Sequence, residues 1–455
     1  MTQPYVPYRA QERYRHLLPA IVLLLLVTSG PGQTSTRDPN FLSLPDVAGT
    51  SLHQSRIERI LQQILPAEIE ENLRTLVAFG TRHSLSDTSS DARGIGAARR
   101  WIYDTFKGYS AASGGRLRVE WDHFAVQGRR LPGPTDMVNV VAVLPGTHSQ
   151  AKNRIYVTSG HYDSRNSDPM DGQGDAPGAN DDGSGTVVVM ELARVLSQYP
   201  FDATLVFMAV AGEEQGLYGS RHWAEKGRQQ GLNVEAMITN DVVGGGRGGN
   251  GILDLETLRC FSAGPADSPH RQLARYAARH VRAYLPPFSL QLIFRQDRYR
   301  RGGDHMSFME AGYPAVRLTE AHENYDHQHQ NVRQEGGKTY GDLMDFVNVD
   351  YIANVARANA VILASLAMGP AAPRNVTITG AVQNDTRISW EHLEEGATYE
   401  VLVRETTAPQ WQKQVPAGSG TASVLKGIAV DNYVFGVRAV NEDGFVSTVT
   451  VPAED

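Results

Sequence analysis

The chain has 455 residues, 41% of them apolar and 20% charged, with a formal net charge of −7. That length exceeds one ordinary domain, and the balance is that of a folded soluble protein with no long basic run, which argues against nucleic-acid binding. Cys260 is the single cysteine; it rules out an intrachain disulfide and a thiolate-rich metal site, so any bound metal must use oxygen and nitrogen ligands.

At the N-terminus, Arg9, Arg13 and Arg15 precede an apolar run from Leu17 to Val27, and the small, turn-forming residues TSGPGQTS follow it. This is the pattern of a secretory signal peptide over residues 1–32, and it implies a secreted or periplasmic protein. Residues 33–54 read as a leader, unstructured over 33–50. RIERILQQI and PAEIEENLRTLVAFG carry apolar residues at helical spacing and predict two amphipathic helices ending at Gly80. A third helix is predicted over ARGIGAARRWIYDTFKGY, with Trp101, Ile102 and Phe106 on its buried face. RLRVEWDHFAV and DMVNVVAVLPG read as strands, the second stopped by Pro145 and Gly146.

The stretch from His161 to Ser220 organises the chain. IYVTSG and ATLVFMAVAG have strand length and β-branched content, and VVVMELARVL between them has helical length, with Ser184 as its expected N-cap. That is a βαβ pattern, so the two strands should lie parallel, and ligands should collect beyond their carboxyl ends. His161 and the pair Glu213 and Glu214 stand where the apolar runs stop, and the acidic loop from Gly178 to Gly185 falls at the same edge. Carboxylates gathered there around an imidazole repel one another unless a cation sits between them, and a divalent metal is the simplest such cation. A solvated acidic loop is the bland alternative. It is disfavoured because apolar strands deliver the acids and glycines surround them.

VEAMITNDVVGGG is another apolar strand, ending at Asp241. RQLARYAARHVRAYL is helical in pattern, FSLQLIFRQD is strand-like, and RYRRGGDHMSFMEAG is a loop leading into a short helix. The arginines of RQDRYRRGG read as a solvated loop in preference to a site for a substrate carboxylate. PAVRLTE is the last strand of this part, the following turn offers His322, His327 and His329, and a long apolar helix over FVNVDYIANVARANAVILASLA closes it. His83, His123 and His222 lack partner spacing and read as surface or core residues, and Cys260 as a small buried hydrophobe.

Taken in order, HYDS, GANDDGSG, AGEEQGLYGS, NDVVG, GGDHMSF and the histidine-rich turn resemble the secreted dizinc aminopeptidases, over residues 55–370. The resemblance implies an α/β fold with a mixed, mostly parallel eight-stranded sheet flanked by helices, two zinc ions per chain, and peptide substrates. By position it assigns His161 and Asp241 to one zinc, Glu214 and a late histidine to the other, and Asp181 as the bridge. Glu213 takes the role of general base toward the water between the metals. Asp163 is expected to orient the His161 ring, and Asp182 matches the position that follows a cis peptide bond. His329, followed by Gln330, is the preferred late ligand and His327 the alternative. His305 is expected to make a structural hydrogen-bond pair with its Asp neighbour and not to bind metal. Carboxypeptidase-type, glutaminyl-cyclase-like and acetyl-hydrolase members of this fold are the competing enzymes, and a binding protein with decayed chemistry is the third class. A full ligand set with Glu213 argues against decay, and Asp241 beside His161 favours two metals over the single zinc of a cyclase.

After Gly369 the composition changes. PAAPRN reads as a linker, and short alternating strands predict a small β-sandwich over residues 372–455. Trp390, Tyr399, Tyr433 and YVFGVRAVNEDGFVS resemble a fibronectin type III domain. No metal or nucleophile pattern occurs in it, so its expected role is accessory: stability, secretion or attachment to a surface or substrate. The sequons at Asn375 and Asn384 matter only in a host that glycosylates.

Overall fold

The computed structural model describes residues 38–47, 54–392 and 396–453. The signal peptide assigned to residues 1–32 lies outside the described residues. Part of the leader does not: Pro39–Ser43 forms a short helix, α1, capped by the Asp38 carboxylate. The Phe41 ring of α1 stacks on Tyr433 at 4.5 Å and is only 2% exposed. This segment is therefore structured, contrary to expectation; it is too short to show a helical period, and one aromatic anchors it.

Helices α2 (Ser55–Leu61), α3 (Pro66–Ala78) and α4 (Ile95–Ala112) follow, then strands β1 (Arg118–Val126), β2 (Thr135–Leu144) and β3 (Arg154–His161). Of the three residues predicted for the buried face of α4, Ile102 and Phe106 are fully buried, while Trp101 is half-buried against Phe79. Next come α5 (Gly185–Leu196), β4 (Thr204–Val210), the single turn α6 (Glu213–Gly216), α7 (Tyr218–Gln229) and β5 (Asn233–Asn240). β6 (Thr257–Phe261), α8 (Pro269–Tyr284), β7 (Ser289–Ile293), α9 (His305–Glu310), β8 (Ala315–Glu320), the hairpin β9 (Arg333–Glu335) and β10 (Lys338–Tyr340), and α10 (Val349–Met368) complete this part.

The first eight strands form one mixed sheet in the order β1-β2-β4-β3-β5-β8-β6-β7. Its centre is parallel: β3 pairs in parallel with both β4 and β5, and β5 with β8, while β1, β2 and β6 introduce the antiparallel pairings. One face carries α3, α4, α5 and α10, and the other carries α7 and α9 with Phe308, Ala224 and Met208 beneath them. Burial on both faces explains why the central strands read as continuous apolar runs without alternation.

α5 is buried on all sides, each of its valines and leucines contributing roughly 1.5–3 kcal/mol. It packs backbone to backbone against the sheet, since a Cβ on Gly185 would lie 2.1 Å from the Asn240 carbonyl oxygen and one on Gly160 would lie 2.4 Å from the Gly185 carbonyl carbon. Glycine is thus required at both positions. Ser184 does not cap α5: it has helical dihedrals, and its hydroxyl donates to the Asn180 carbonyl at 2.7 Å. The cap is instead the Asp182 carboxylate, which accepts the Gly185 N–H at 3.0 Å.

The C-terminal strands β11 (Arg374–Thr379), β12 (Thr386–Glu391), β13 (Thr398–Glu405), β14 (Lys413–Gly418), β15 (Ala422–Leu425) and β16 (Tyr433–Val440) form two antiparallel three-stranded sheets, β11-β12-β15 and β14-β13-β16. They enclose a core of their own that includes Ile388, Trp390, Tyr399, Val401 and Phe435. The unit is nevertheless docked on the larger one: Phe445 and Val446 belong to the main core, Trp411 Nε1 donates to Gln272 Oε1 at 3.2 Å, and Asn441 Nδ2 donates to the Met368 carbonyl at 2.9 Å.

Candidate active site

The parallel centre of the sheet delivers its acids and imidazole to one edge. His161 ends β3, Glu213 and Glu214 open α6 just beyond β4, and Asp241 follows β5. Asp181 sits on a wide helical turn, Ala179–Ser184, that leads into α5, and a cis peptide bond joins it to Asp182.

Among the described residues two groups could hold a metal ion, His161 with Glu213 and Asp241, and Asp181 with Glu214 and His329. His161 Nε2 lies 3.3 Å from Asp181 Oδ1, 3.8 Å from Asp241 Oδ1 and 4.0 Å from Glu213 Oε2. His329 Nε2 lies 2.9 Å from Asp181 Oδ2 and 2.9 Å from Glu214 Oε1. The two oxygens of Asp181 therefore face different imidazoles, the geometry of a carboxylate shared between two cations. Glu213 comes as near to His161 and Asp241 as a ligand would, so distance alone does not separate the base from the ligands. His327 does not face this cluster; its ring stacks flat on Phe346 at 3.5 Å.

The electrostatics show the excess of negative charge. Burial alone would lower the His329 imidazole, but Glu214 and Asp181 hold it up at about 10. Burial likewise opposes protonation of His161, and Glu213 and Asp182 still raise it well above the ordinary histidine value. Burial pushes the Glu213 carboxyl well above the usual range, with Asp241 and Glu214 adding to the rise against the pull of His161. The donors are all carboxylate oxygen and imidazole nitrogen, a set that suits zinc, and the unbalanced charge is of the kind that divalent ions neutralise. The residues fit two such ions.

Surrounding side chains fix the donors. Asp182, fully buried, accepts the main-chain N–H of His161 at 2.9 Å and of Val242 at 3.3 Å as well as that of Gly185, and so ties together the ends of β3, β5 and α5. Asp163 meets the His161 ring through its main chain. Its main-chain carbonyl, not its carboxylate, meets His161 Nδ1 at 3.1 Å, the nearer carboxylate oxygen being 3.6 Å away. The carboxylate instead accepts the N–H groups of Glu213 and Glu214 at 3.3 and 3.1 Å and fixes the turn that carries both acids. His305 pairs with neither metal ligand nor Asp304: its Nε2 meets the Gln296 carbonyl at 2.9 Å and Asp297 at 3.7 Å. His83 is a core residue held between the Pro169 carbonyl and Gln215, and His222 pairs with Asp122 at 3.2 Å.

Sequence reasoning missed four supports. Arg317, fully buried on β8, places Nη2 at 2.8 Å from Asp241 Oδ1, and despite burial this guanidinium above all holds the Asp241 carboxyl below the usual range. Arg165 reaches Glu214 Oε2 at 2.9 Å and His329 Nδ1 at 2.6 Å. Arg82 donates to the carbonyls of Tyr162, Pro177 and Gly178 and pins the loop before Asp181. The Asp342 carboxylate accepts the N–H groups of Asn180 and Asp181 at 2.8 and 2.7 Å. RQDRYRRGG is solvated only in part: Arg295, Tyr299 and Arg300 are exposed, Arg298 and Arg301 are half-buried, and Arg298, Arg300 and Arg301 line the cleft over the centre.

Residues 139–348 match the model of peptidase family M28. The chain is 42% identical to a "Probable zinc metalloprotease" of Pyrenophora teres f. teres over 87% of this chain and 86% of that one. It is 43% identical to a protein of the same description from Pyricularia oryzae, over 90% of this chain and 86% of the relative. Among solved structures, the LapA aminopeptidase of Legionella pneumophila superposes with a TM-score of 0.51 at 24% identity, covering 69% of this chain and 75% of that one. LapB of the same organism superposes with a TM-score of 0.52 at 20% identity, covering 73% and 82%. These last two likenesses are of fold.

Proposed function

The chain belongs to the M28 family of zinc metalloproteases, and from that premise we propose that it is a dizinc exopeptidase, most closely an aminopeptidase, that hydrolyses the amino-terminal peptide bond of its substrates. The observation that supports this reading is the Asp181 carboxylate, which turns one oxygen to His161 and the other to His329 at 3.3 and 2.9 Å. In this reading His161 and Asp241 hold one zinc, Glu214 and His329 the other, and Asp181 both. Bound zinc supplies Lewis acidity, polarising the scissile carbonyl and lowering the pKa of water.

The remaining chemistry belongs to the protein. Glu213 lines the cleft with no ligand duty left to it, buried enough to keep a raised proton affinity. Its carboxylate takes a proton from the attacking water as the oxygen bonds to the carbonyl carbon, then passes that proton to the departing amine nitrogen as the C–N bond breaks. Asp163 holds the Glu213 main chain in place throughout. The aminopeptidase assignment also draws on the ordered motif set from HYDS to the His329 turn. It is tested with chromogenic aminoacyl substrates and carboxyl-terminal substrates, on chain stripped of metal and on chain restored with zinc. Zinc-dependent release from the aminoacyl set supports it, and release only from free carboxyl termini would make the enzyme a carboxypeptidase.

We further propose that residues 55–370 form the catalytic domain and 372–455 a fibronectin type III-like accessory module. The six strands in two facing sheets support this, and none of the described residues lining the cleft comes from them. Chain truncated after residue 370 is expected to keep its turnover on small substrates while its Tm falls, because truncation uncovers α8 and removes Phe445 and Val446 from the main core. A folded truncate without activity would mean that the module shapes the site.

A further inference from the structure

The cleft over the centre, about 340 Å³ in volume, is walled by Arg130, Arg165, Arg298, Arg300 and Arg301, and Leu217 is the one large apolar side chain among its described lining residues. Three of these cations are balanced within the protein. Arg165 pairs with Glu214, Arg298 with Asp297 and Glu323, and Arg301 with Glu323. The other two are not. Arg130 donates one bond, to the Glu214 carbonyl at 2.7 Å, and has no carboxylate partner among the described residues. Arg300 is exposed, with left-handed backbone at φ 55°; its guanidinium lies 5.3 Å from the Tyr299 ring and has no carboxylate partner among the described residues.

The two approach from opposite directions. Arg130 lies on the loop between β1 and β2, and Arg300 on the loop between β7 and α9, while β1 and β7 are the two edge strands of the sheet. Both loops nonetheless contribute to one cleft, which Arg130 and Arg300 line together. The acids facing them, Asp181, Glu213, Glu214 and Asp241, are the ones assigned to the metal centre. Two divalent ions offset those charges and leave the guanidinium wall as the net charge of the cleft. An apolar side chain would find one leucine there; a carboxylate would find two guanidiniums without a competing acid, each able to make charge-assisted hydrogen bonds.

From this geometry we infer that the substrate carries a carboxylate beside the scissile bond, held between Arg130 and Arg300. The inference rests on the dizinc reading and specifies the substrate class of that site. The carboxylate has two sources, an acidic side chain on the terminal residue or the free carboxyl terminus of a short peptide.

The test compares two matched pairs on zinc-restored full-length chain: glutamyl- against glutaminyl-p-nitroanilide, and an N-acylated dipeptide acid against its amide. In at least one pair the charged member is expected to be favoured in kcat/KM by about tenfold or more, chiefly through KM. That preference should shrink in high salt. Arg300→Gln and, separately, Arg130→Gln should each cut the charged-to-neutral ratio by about tenfold. A response in the first pair identifies the acidic side chain, and a response in the second the carboxyl terminus, which would also replace the aminopeptidase reading. Equal rates in both pairs, or ratios unmoved by both substitutions, overturn the inference. Should no substrate be cleaved, the peptidase reading fails, and the anion site is judged by calorimetric binding of glutamate against glutamine to the zinc-loaded chain. A preference for glutamate lost in Arg300→Gln sustains it, and equal binding overturns it.

Discussion

Glu213→Gln is expected to lower kcat by about 10²- to 10⁴-fold while zinc content and fold survive. The amide has the size of the carboxylate and can still hydrogen-bond to water, but it cannot take a proton during attack on the carbonyl carbon. The fold should tolerate the change because the structure anchors this residue through its main chain: the Glu213 N–H donates to Asp163 Oδ1 at 3.3 Å, a bond that does not involve the side chain. Replacing a carboxylate that burial and its acidic neighbours disfavour also relieves local repulsion. KM should change far less than kcat, since an interaction made only as the proton moves contributes little to ground-state binding. Near-native kcat with full zinc content would show that another group accepts the proton.

Asp181→Ala should act on the metals first and on the rate as a consequence. One oxygen of Asp181 faces His161 and the other His329, so under the dizinc proposal the substitution strips a ligand from both positions at once and leaves Glu213, Glu214 and Asp241 to repel one another. Zinc retention through dialysis should fall sharply, and turnover by about 10³-fold or more, the loss expected when several kcal/mol of Lewis-acid stabilisation is removed. The loop itself should hold its shape. Its anchors are main-chain N–H groups on Asp342 and carbonyls on Arg82, neither of which requires the Asp181 side chain. By comparison Glu214→Ala, which under the same proposal removes a ligand from the His329 side alone, should spare the His161 position. Full zinc retention in Asp181→Ala would exclude the shared-carboxylate geometry.

The edge that carries these residues was legible for a physical reason. Strands buried on both faces are continuous apolar runs, and an acid or histidine at the end of such a run must sit at the sheet's carboxyl edge. His161, Asp241 and the Glu213-Glu214 pair are all of this type. The supporting arginines were not legible, because their partners are distant in sequence. Arg317 sits inside PAVRLTE, where the alternation suggests an outward polar residue, yet helices cover both faces of the sheet and its partner Asp241 lies 76 residues away. Arg165 follows HYDS with nothing to mark that it will reach the His329 turn, 164 residues on. Spacing places Asp163 beside His161 but cannot say that its carbonyl meets the ring while its carboxylate holds the Glu213 turn. The arginine-rich segment was legible only in part for a related reason: charge runs are usually solvated, as Arg295 and Arg300 are, and only the fold of the β7 to α9 connection brings Arg298, Arg300 and Arg301 over the cleft.

Zinc titration of the metal-stripped chain, with bound metal and peptidase activity followed together, tests the dizinc centre most directly. Each imidazole faces Asp181 from its own side, and each has a further carboxylate, Asp241 for His161 and Glu214 for His329. Bound zinc should therefore saturate near two ions per chain, with full activity reached only as the second is taken up. Full activity at one bound zinc, unchanged by more, would contradict the shared centre and leave a single-metal enzyme in its place.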